Sequence, residues 1–215
     1  MRRTLPVLTG LLLFLLSLPM ARAGEVSYGA VAELLGPPVQ IDSLRALGPD
    51  ILPHLAAIYG TADETARTDI ARTFYRLGWQ SPEAYAALMQ DIHSGNPQLR
   101  LQVQWALGRV SGEDEVVDTL LEIMRHDDNA LFRDKAACAL AYDQIHLSEA
   151  QKVALYSGLI DGLSDPTPQV RSIAIKALQI HTGQTRGYVA TASDRERERS
   201  IREWRRWLDD YRASL

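Results

Sequence analysis

Apolar residues in this chain recur at three- and four-residue steps rather than in alternation, and they do so in paired segments. Ile51, Leu52, Leu55, Ile58 and Tyr59 form the first set. Tyr85, Leu88, Met89 and Ile92 form the next, followed by Val117, Leu120, Leu121 and Met124, and then by Val153, Tyr156, Leu159, Ile160 and Leu163. Such spacing puts each set on one helical face, and no stretch sustains the two-residue alternation of a half-buried strand. Each set is followed by a second amphipathic segment that opens on an arginine. The copies are Arg67, Ile70, Thr73, Phe74; Arg100, Val103, Ala106, Leu107; Arg133, Ala136, Ala139, Leu140; and Arg171, Ala174, Ala177, Leu178. From arginine to arginine the steps are 33, 33 and 38 residues. The pattern predicts an all-α chain, an α-solenoid of about four helical hairpins in which each unit buries its apolar face against the next.

Punctuation between the segments agrees. Ser81-Pro82, Asn96-Pro97 and Thr167-Pro168 each place a capping side chain before a proline at the first helical position. Ser148 with Gln151, and Ser193 with Glu196, match the reciprocal capping box. Gly78 and Gly183 stand where a helix ends on a left-handed residue. The hairpins are expected over 49–78, 81–112, 113–147 and 148–183, making 49–183 the repeat region. Residues 24–48 read as an irregular leader interrupted by Gly36-Pro37-Pro38, whose apolar run near Val31–Leu35 covers the first hairpin. Residues 184–215 read as a polar loop and a final helix from Ser193. That helix carries Ile201, Trp204, Leu208 and Tyr211 on one face, with Trp207 beside it, and is expected to cap the open end of the stack. Between residues 186 and 212 eight arginines face six acids, so the polar side of this helix largely neutralises itself.

The first 23 residues follow a different logic. Arg2 and Arg3 precede Leu11–Leu16, then come Pro19 and Ala21-Arg22-Ala23. A basic start, an apolar run too short to span a bilayer and an A-x-A site predict a signal peptide, residues 1–23, and export to the periplasm. Without those residues, the 23 basic and 27 acidic side chains become 20 and 27, a formal charge of −7. An acidic exported protein lacks the basic surface that holds phosphates, so nucleic acid is not an expected partner. A stable membrane span in the mature chain is not expected either. Cys138 is the single cysteine, so no intramolecular disulfide forms and packing alone supplies stability.

Asp165-Pro-x-x-x-Val170-Arg171-x-x-Ala174-x-x-Ala177-Leu178 resembles the second helix of a HEAT repeat, and units two to four carry the resemblance most fully. The terminal Trp204-x-x-Trp207 helix is similar to closing segments of secreted bacterial HEAT-like proteins. In that family a turn acid and the helix arginine commonly pair along the solenoid. Here Asp128 precedes Arg133, but Asn96 replaces the acid before Arg100 and the spacing varies, so a complete ladder is not expected. Ankyrin and tetratricopeptide patterns are absent from the sequence.

Taking each arginine as zero, positions −1, +3, +6 and +7 share the core face, and +1, +5 and +8 share another. The second set reads Thr68, Arg72, Tyr75; Leu101, Trp105, Gly108; Asp134, Cys138, Ala141; Ser172, Lys176, Gln179. The resemblance implies that second helices line the concave side, which makes this column the inner groove. Candidate partner-binding residues are Arg72, Tyr75, Leu101, Trp105, Lys176 and Gln179. Trp105 either anchors a partner or packs between hairpins.

Catalytic chemistry is hard to find in this sequence. The five histidines show no His-x-x-x-His pair, and none is followed by Glu as in the HEAT-like di-iron hydroxylases. His126-Asp127-Asp128 falls at a hairpin turn and reads as solvated, as does His146 near Asp143. Cys138 has no histidine close in sequence and reads as an unreactive helix residue. No nucleophile elbow or phosphate loop is present. No cofactor is expected. The reading is a monomeric, non-catalytic scaffold or adaptor that binds another protein or a peptide. The alternative is a HEAT-like accessory or lyase-type protein that assists modification or cofactor loading of a partner.

Overall fold

A computed structural model of the chain describes residues 26–143 and 147–215. The expected export signal, residues 1–23, and His146 lie outside the described residues. The described part contains α1 (Tyr28–Leu34), α2 (Ile41–Ala46), a 3₁₀ turn (Pro49–Ile51), α3 (Leu52–Thr61), α4 (Glu64–Leu77), α5 (Pro82–Met89) and α6 (Pro97–Val110). It continues through α7 (Asp114–His126), α8 (Ala130–Tyr142), α9 (Glu149–Gly162), α10 (Pro168–Thr182) and α11 (Asp194–Ala213).

The helices form two layers. α1, α3 and α5, and then α7, α9 and α11, pack in sequence on one side; α2, α4, α6, α8 and α10 pack side by side on the other. This is the stacked-hairpin architecture of an α-solenoid. Between the layers runs one continuous apolar core, from Val31 and Leu44 at one end to Ile201, Trp204 and Leu208 at the other. The predicted inner positions hold throughout: Leu99, Val103 and Ala106, then Ala136, Ala139 and Leu140, then Val170, Ala174, Ala177 and Leu178 are all fully buried. The small residue at +6 lets neighbouring helices approach closely, and glycine does the same in the other layer. A Cβ on Gly158 of α9 would lie 2.3 Å from Leu121 Cδ2 on α7.

Helix ends follow the chemistry of their caps. The Ser81 side chain accepts from the Ala84 amide at 3.0 Å, and Asn96 Oδ1 accepts from the amides of Gln98 and Leu99. At α9 the box is reciprocal, with the Ser148 amide donating to Gln151 Oε1 at 2.7 Å and the Gln151 amide returning to Ser148 Oγ at 3.3 Å. Gly78 and Gly183 close α4 and α10 in left-handed conformations. Thr167 departs from expectation. Its hydroxyl makes no cap bond and instead accepts from Arg133 at 3.0 Å.

The leader also differs from the irregular segment expected. It forms a short hairpin, α1 packing on α3 and α2 on α4, so it continues both layers by one step. Val31 and Leu44 are its buried anchors. Ser27 caps α1, accepting from the Ala30 amide at 3.2 Å. Gly36-Pro37-Pro38 is the turn between two helices too short to show a clear period. At the other end Tyr188 and Ala190 of the loop before α11 are buried against the stack. Trp204 lies fully buried, its indole N–H donating to the Thr185 carbonyl at 3.2 Å. Trp207 packs beside it, 5.3 Å from the Tyr156 ring. The final helix therefore does cap the array.

Candidate partner-binding face

What a second helix offers to solvent depends on how it is clamped, and the motif arginine is the clamp. Arg67 pairs with Asp91 at 3.4 Å and donates to the Ala62 carbonyl at 3.0 Å. Arg100 pairs with Asp127 and donates to the Ile92 carbonyl at 3.2 Å. Arg133 pairs with Asp165 at 2.8 Å and holds the carbonyls of Asp127 and Asp128. Each arginine thus binds the turn of its own hairpin and an acid in the turn of the next. A ladder is present after all. Its acids are Asp91 and Asp127 rather than Asn96 and Asp128, because a turn tolerates the carboxylate at more than one position so long as it can be reached. Arg171, with no hairpin beyond it, completes the series on the Ala190 carbonyl at 2.9 Å. These pairs are mostly buried, and in the Arg133–Asp165 rung the two side chains are only 10% and 7% exposed. The Asp165 carboxylate bonded to Arg133 favours its charged form and pushes the guanidinium's pKa above its ordinary value. Tyr59 joins the first rung, donating to Asp91 at 2.6 Å, and burial together with that carboxylate pushes its phenol well up.

With the arginine side held in this way, the outward arc of each second helix lies opposite it, at positions −2, +5 and +9. Position −2 is exposed in every unit: Thr65, Gln98, Leu131 and Gln169. Position +5 carries Arg72 and Lys176 exposed, with Trp105 and Cys138 half-buried. Position +9 carries Arg76, Tyr142 and Ile180 exposed, with Arg109 half-buried. Positions +1 and +8 turn toward the neighbouring helix of the same layer. Thr68, Gly108, Asp134 and Ala141 are accordingly buried there.

The candidate residues sort along that division. Arg72, Trp105 and Lys176 share the outward row. Tyr75 and Leu101 lie half-buried in the seams. Gln179, also at +8, is exposed because no second helix follows α10. The rings of Tyr75 and Trp105 meet at 6.2 Å, so part of the indole packs on α4 while the rest faces out. The sequence column missed Arg76, Arg109, Leu131, Tyr142 and Ile180. Reading the +9 row beside the +5 row would have found four of these, and the −2 row holds Leu131.

Arg109 ties three hairpins together at this face. Its guanidinium lies 4.5 Å from the Tyr75 ring centre, donates to the Tyr75 carbonyl at 3.3 Å and approaches Asp143 at 3.4 Å. The last contact is too poorly aligned for a hydrogen bond, and Asp143 Oδ1 has no such partner. Burial raises the Asp143 pKa to about 6, with Arg109 pulling it down. Burial also pushes the Cys138 thiol up to about 11, aided by Asp134 and opposed by Lys135. A thiol so placed is a poor nucleophile at neutral pH. His126 is exposed and Asp127 is engaged by Arg100, so the two make no joint cation clasp.

Charge differs between the first helices α5, α7 and α9 and the outward arc of the second helices. The exposed acids Glu83, Asp114, Glu115, Asp118, Glu122 and Glu149 lie on or at the start of the first helices. On the second-helix face Arg72, Arg76 and Lys176 are exposed, and Asp69, paired with Arg72 at 3.0 Å, is the accompanying outward acid. Among the described residues no helix is long and apolar enough to cross a membrane.

Among curated proteins and among solved structures, none matches the chain. Residues 52–141 match the family model described as HEAT repeats, a span that runs from the start of α3 almost to the end of α8. The fourth hairpin, beyond that span, has the same pairing of helices and the same arginine at the head of its second helix. With its stacked two-layer helices and repeated arginine clamps, this chain carries HEAT repeats over residues 52–141.

Proposed function

We propose that this protein is a non-catalytic scaffold, exported to the periplasm, that binds another protein or a peptide along the outward arc of its second helices. HEAT repeats are commonly protein-interaction scaffolds. The observation that carries the reading is Trp105. Its ring is half-exposed at the middle of the +5 row, with Arg72 exposed one helix before it and Lys176 two helices after it. A rigidly backed indole flanked by cations has the composition of an interface anchor, a type of residue that often contributes about 2 kcal/mol or more. Export is supported by the basic, apolar and A-x-A order of residues 1–23. The protein acts as a monomer in this reading, and its own leader, which packs on α3 and α4, leaves Arg72 and Arg76 of α4 and the rows of α6, α8 and α10 to the partner.

Affinity capture from the native cell envelope tests this, with Trp105→Ala and Arg72→Ala alongside the wild type. The expected result is a partner retained by the wild type and lost from the indole variant, whose melting temperature stays within a few degrees. Equal retention by all three proteins, or loss that only tracks unfolding, overturns the assignment. N-terminal sequencing of the periplasmic form checks for cleavage after Ala23.

A further inference from the structure

The face assigned above has a sign, and the sign selects the partner. Five cations stand on or beside its outward arc: Arg72, Arg76, Arg109, Lys135 and Lys176. Arg109 and Lys135 lean on the buried carboxylates Asp143 and Asp134, and Arg72 on half-buried Asp69. Among the described residues no carboxylate lies within ion-pair distance of the Arg76 or Lys176 side chains, one at each end of the row of helices. In a chain of formal charge −4 this face thus keeps two cations without an acid partner, while acids crowd the first helices α5, α7 and α9. Opposite potentials steer encounter and reject partners of like charge.

The N-terminal end of the face adds shape. A cavity of about 320 Å³ lies between the leader and α4, with Pro37, Val39 and Ile41 on one wall and Arg76, Arg72 and its partner Asp69 on the other. The Arg76 guanidinium, without an acid partner among the described residues and beside an apolar wall, suits a carboxylate next to an apolar side chain, with Arg72 adding charge as Asp69 shares it. From there the row crosses α6, α8 and α10. Neighbouring packed helices lie about 10 Å apart, so the three steps span about 30 Å. An extended chain advances about 3.3 Å per residue, so about nine residues cover the row.

Building on the partner-binding reading, we infer that this face takes an acidic, extended peptide segment of about nine residues. An apolar side chain of the segment rests on Trp105, and its carboxylates meet Arg72 and Arg76 at one end and Lys176 at the other.

A randomised decapeptide display library selected on the purified protein tests this, with the Arg76→Glu/Lys176→Glu double variant selected in parallel. Both positions are exposed, and circular dichroism melts establish that the variant folds. The wild type is expected to enrich peptides rich in Asp and Glu that carry an aromatic or aliphatic residue, and the variant to lose that acidic bias. The best acidic peptide should bind the variant at least tenfold more weakly by fluorescence anisotropy, and lose affinity for the wild type as salt is raised. A selected pool that is neutral or basic, or an acidic pool the double variant retains, overturns the acidic-segment inference while leaving peptide binding in place. No enrichment of any pool on the wild type overturns both.

Discussion

Arg133 on α8 grips Asp165 in the turn that opens α10, with Nε 2.8 Å from Oδ2 and a second nitrogen 3.2 Å from Oδ1. The same carboxylate accepts from the Thr167 amide at 2.7 Å. One side chain thereby sets the start of the next second helix, and the guanidinium is only 10% exposed.

Asp165→Ala should therefore cost about 3–5 kcal/mol, as expected when one partner of a buried pair is removed. Arg72→Ala breaks a pair whose side chains are 50% and 43% exposed, and should change stability by less than about 0.5 kcal/mol. Urea denaturation of the two variants against wild type measures the difference; similar midpoints would contradict the clamp.

Asp143 gives the stability a pH dependence. Burial raises its pKa to about 6, against about 4 for an ordinary aspartate. Between those values the folded state holds the proton more tightly than the unfolded state. Stability from this group is thus fullest below about pH 4, falls as the pH rises toward 6 and stays low above it. Asp143→Asn should remove that slope and raise stability at pH 7 by about 1–3 kcal/mol, reduced by whatever Arg109 loses. Urea midpoints of both proteins from pH 4 to 7 test it, and a difference independent of pH would count against it.

Cys138 should resist alkylation. With a thiol pKa of about 11, the thiolate is scarce at pH 7.5, well below one part in a thousand. Iodoacetamide labelling of folded protein is expected to run at least tenfold slower than in denaturant. Equal rates would mean that the thiol is neither buried nor shifted.

Two glycines should respond in opposite directions. At Gly158 an added methyl meets Leu121 at 2.3 and 3.3 Å and Arg125 at 3.1 Å. Overpacking of that kind costs about 1–3 kcal/mol, which equals or exceeds the helix-propensity gain of about 1 kcal/mol. Gly60 of α3 has nothing within 4 Å, so Gly60→Ala should stabilise by about 0.4–1 kcal/mol. Thermal melts of the two alanine variants should shift in opposite directions.

Much of this was legible from residues alone. The apolar period located α3 to α11, and Gly78, Gly183, Ser81 and Asn96 marked ends that the caps then matched. The leader was not legible as helix, since α1 and α2 have seven and six residues, too few to display a period. Nor was the ladder, because Asp91 and Asp127 sit in turns of unequal length, where sequence distance does not measure reach.

Helical spacing depends only on the backbone's own geometry, so the sequence by itself determined the elements, the hairpin repeat and the core face of each second helix. It could not determine which of the remaining positions meet solvent. That was decided by the tertiary structure, since α4, α6 and α8 are each flanked by two others of their layer and lose their +1 and +8 positions to the seams, while Gln179 of the last second helix stays exposed. Trp105 therefore shares its surface with Arg76, Tyr142 and Ile180 as well as with Arg72 and Lys176, while Tyr75 supports the indole from the seam.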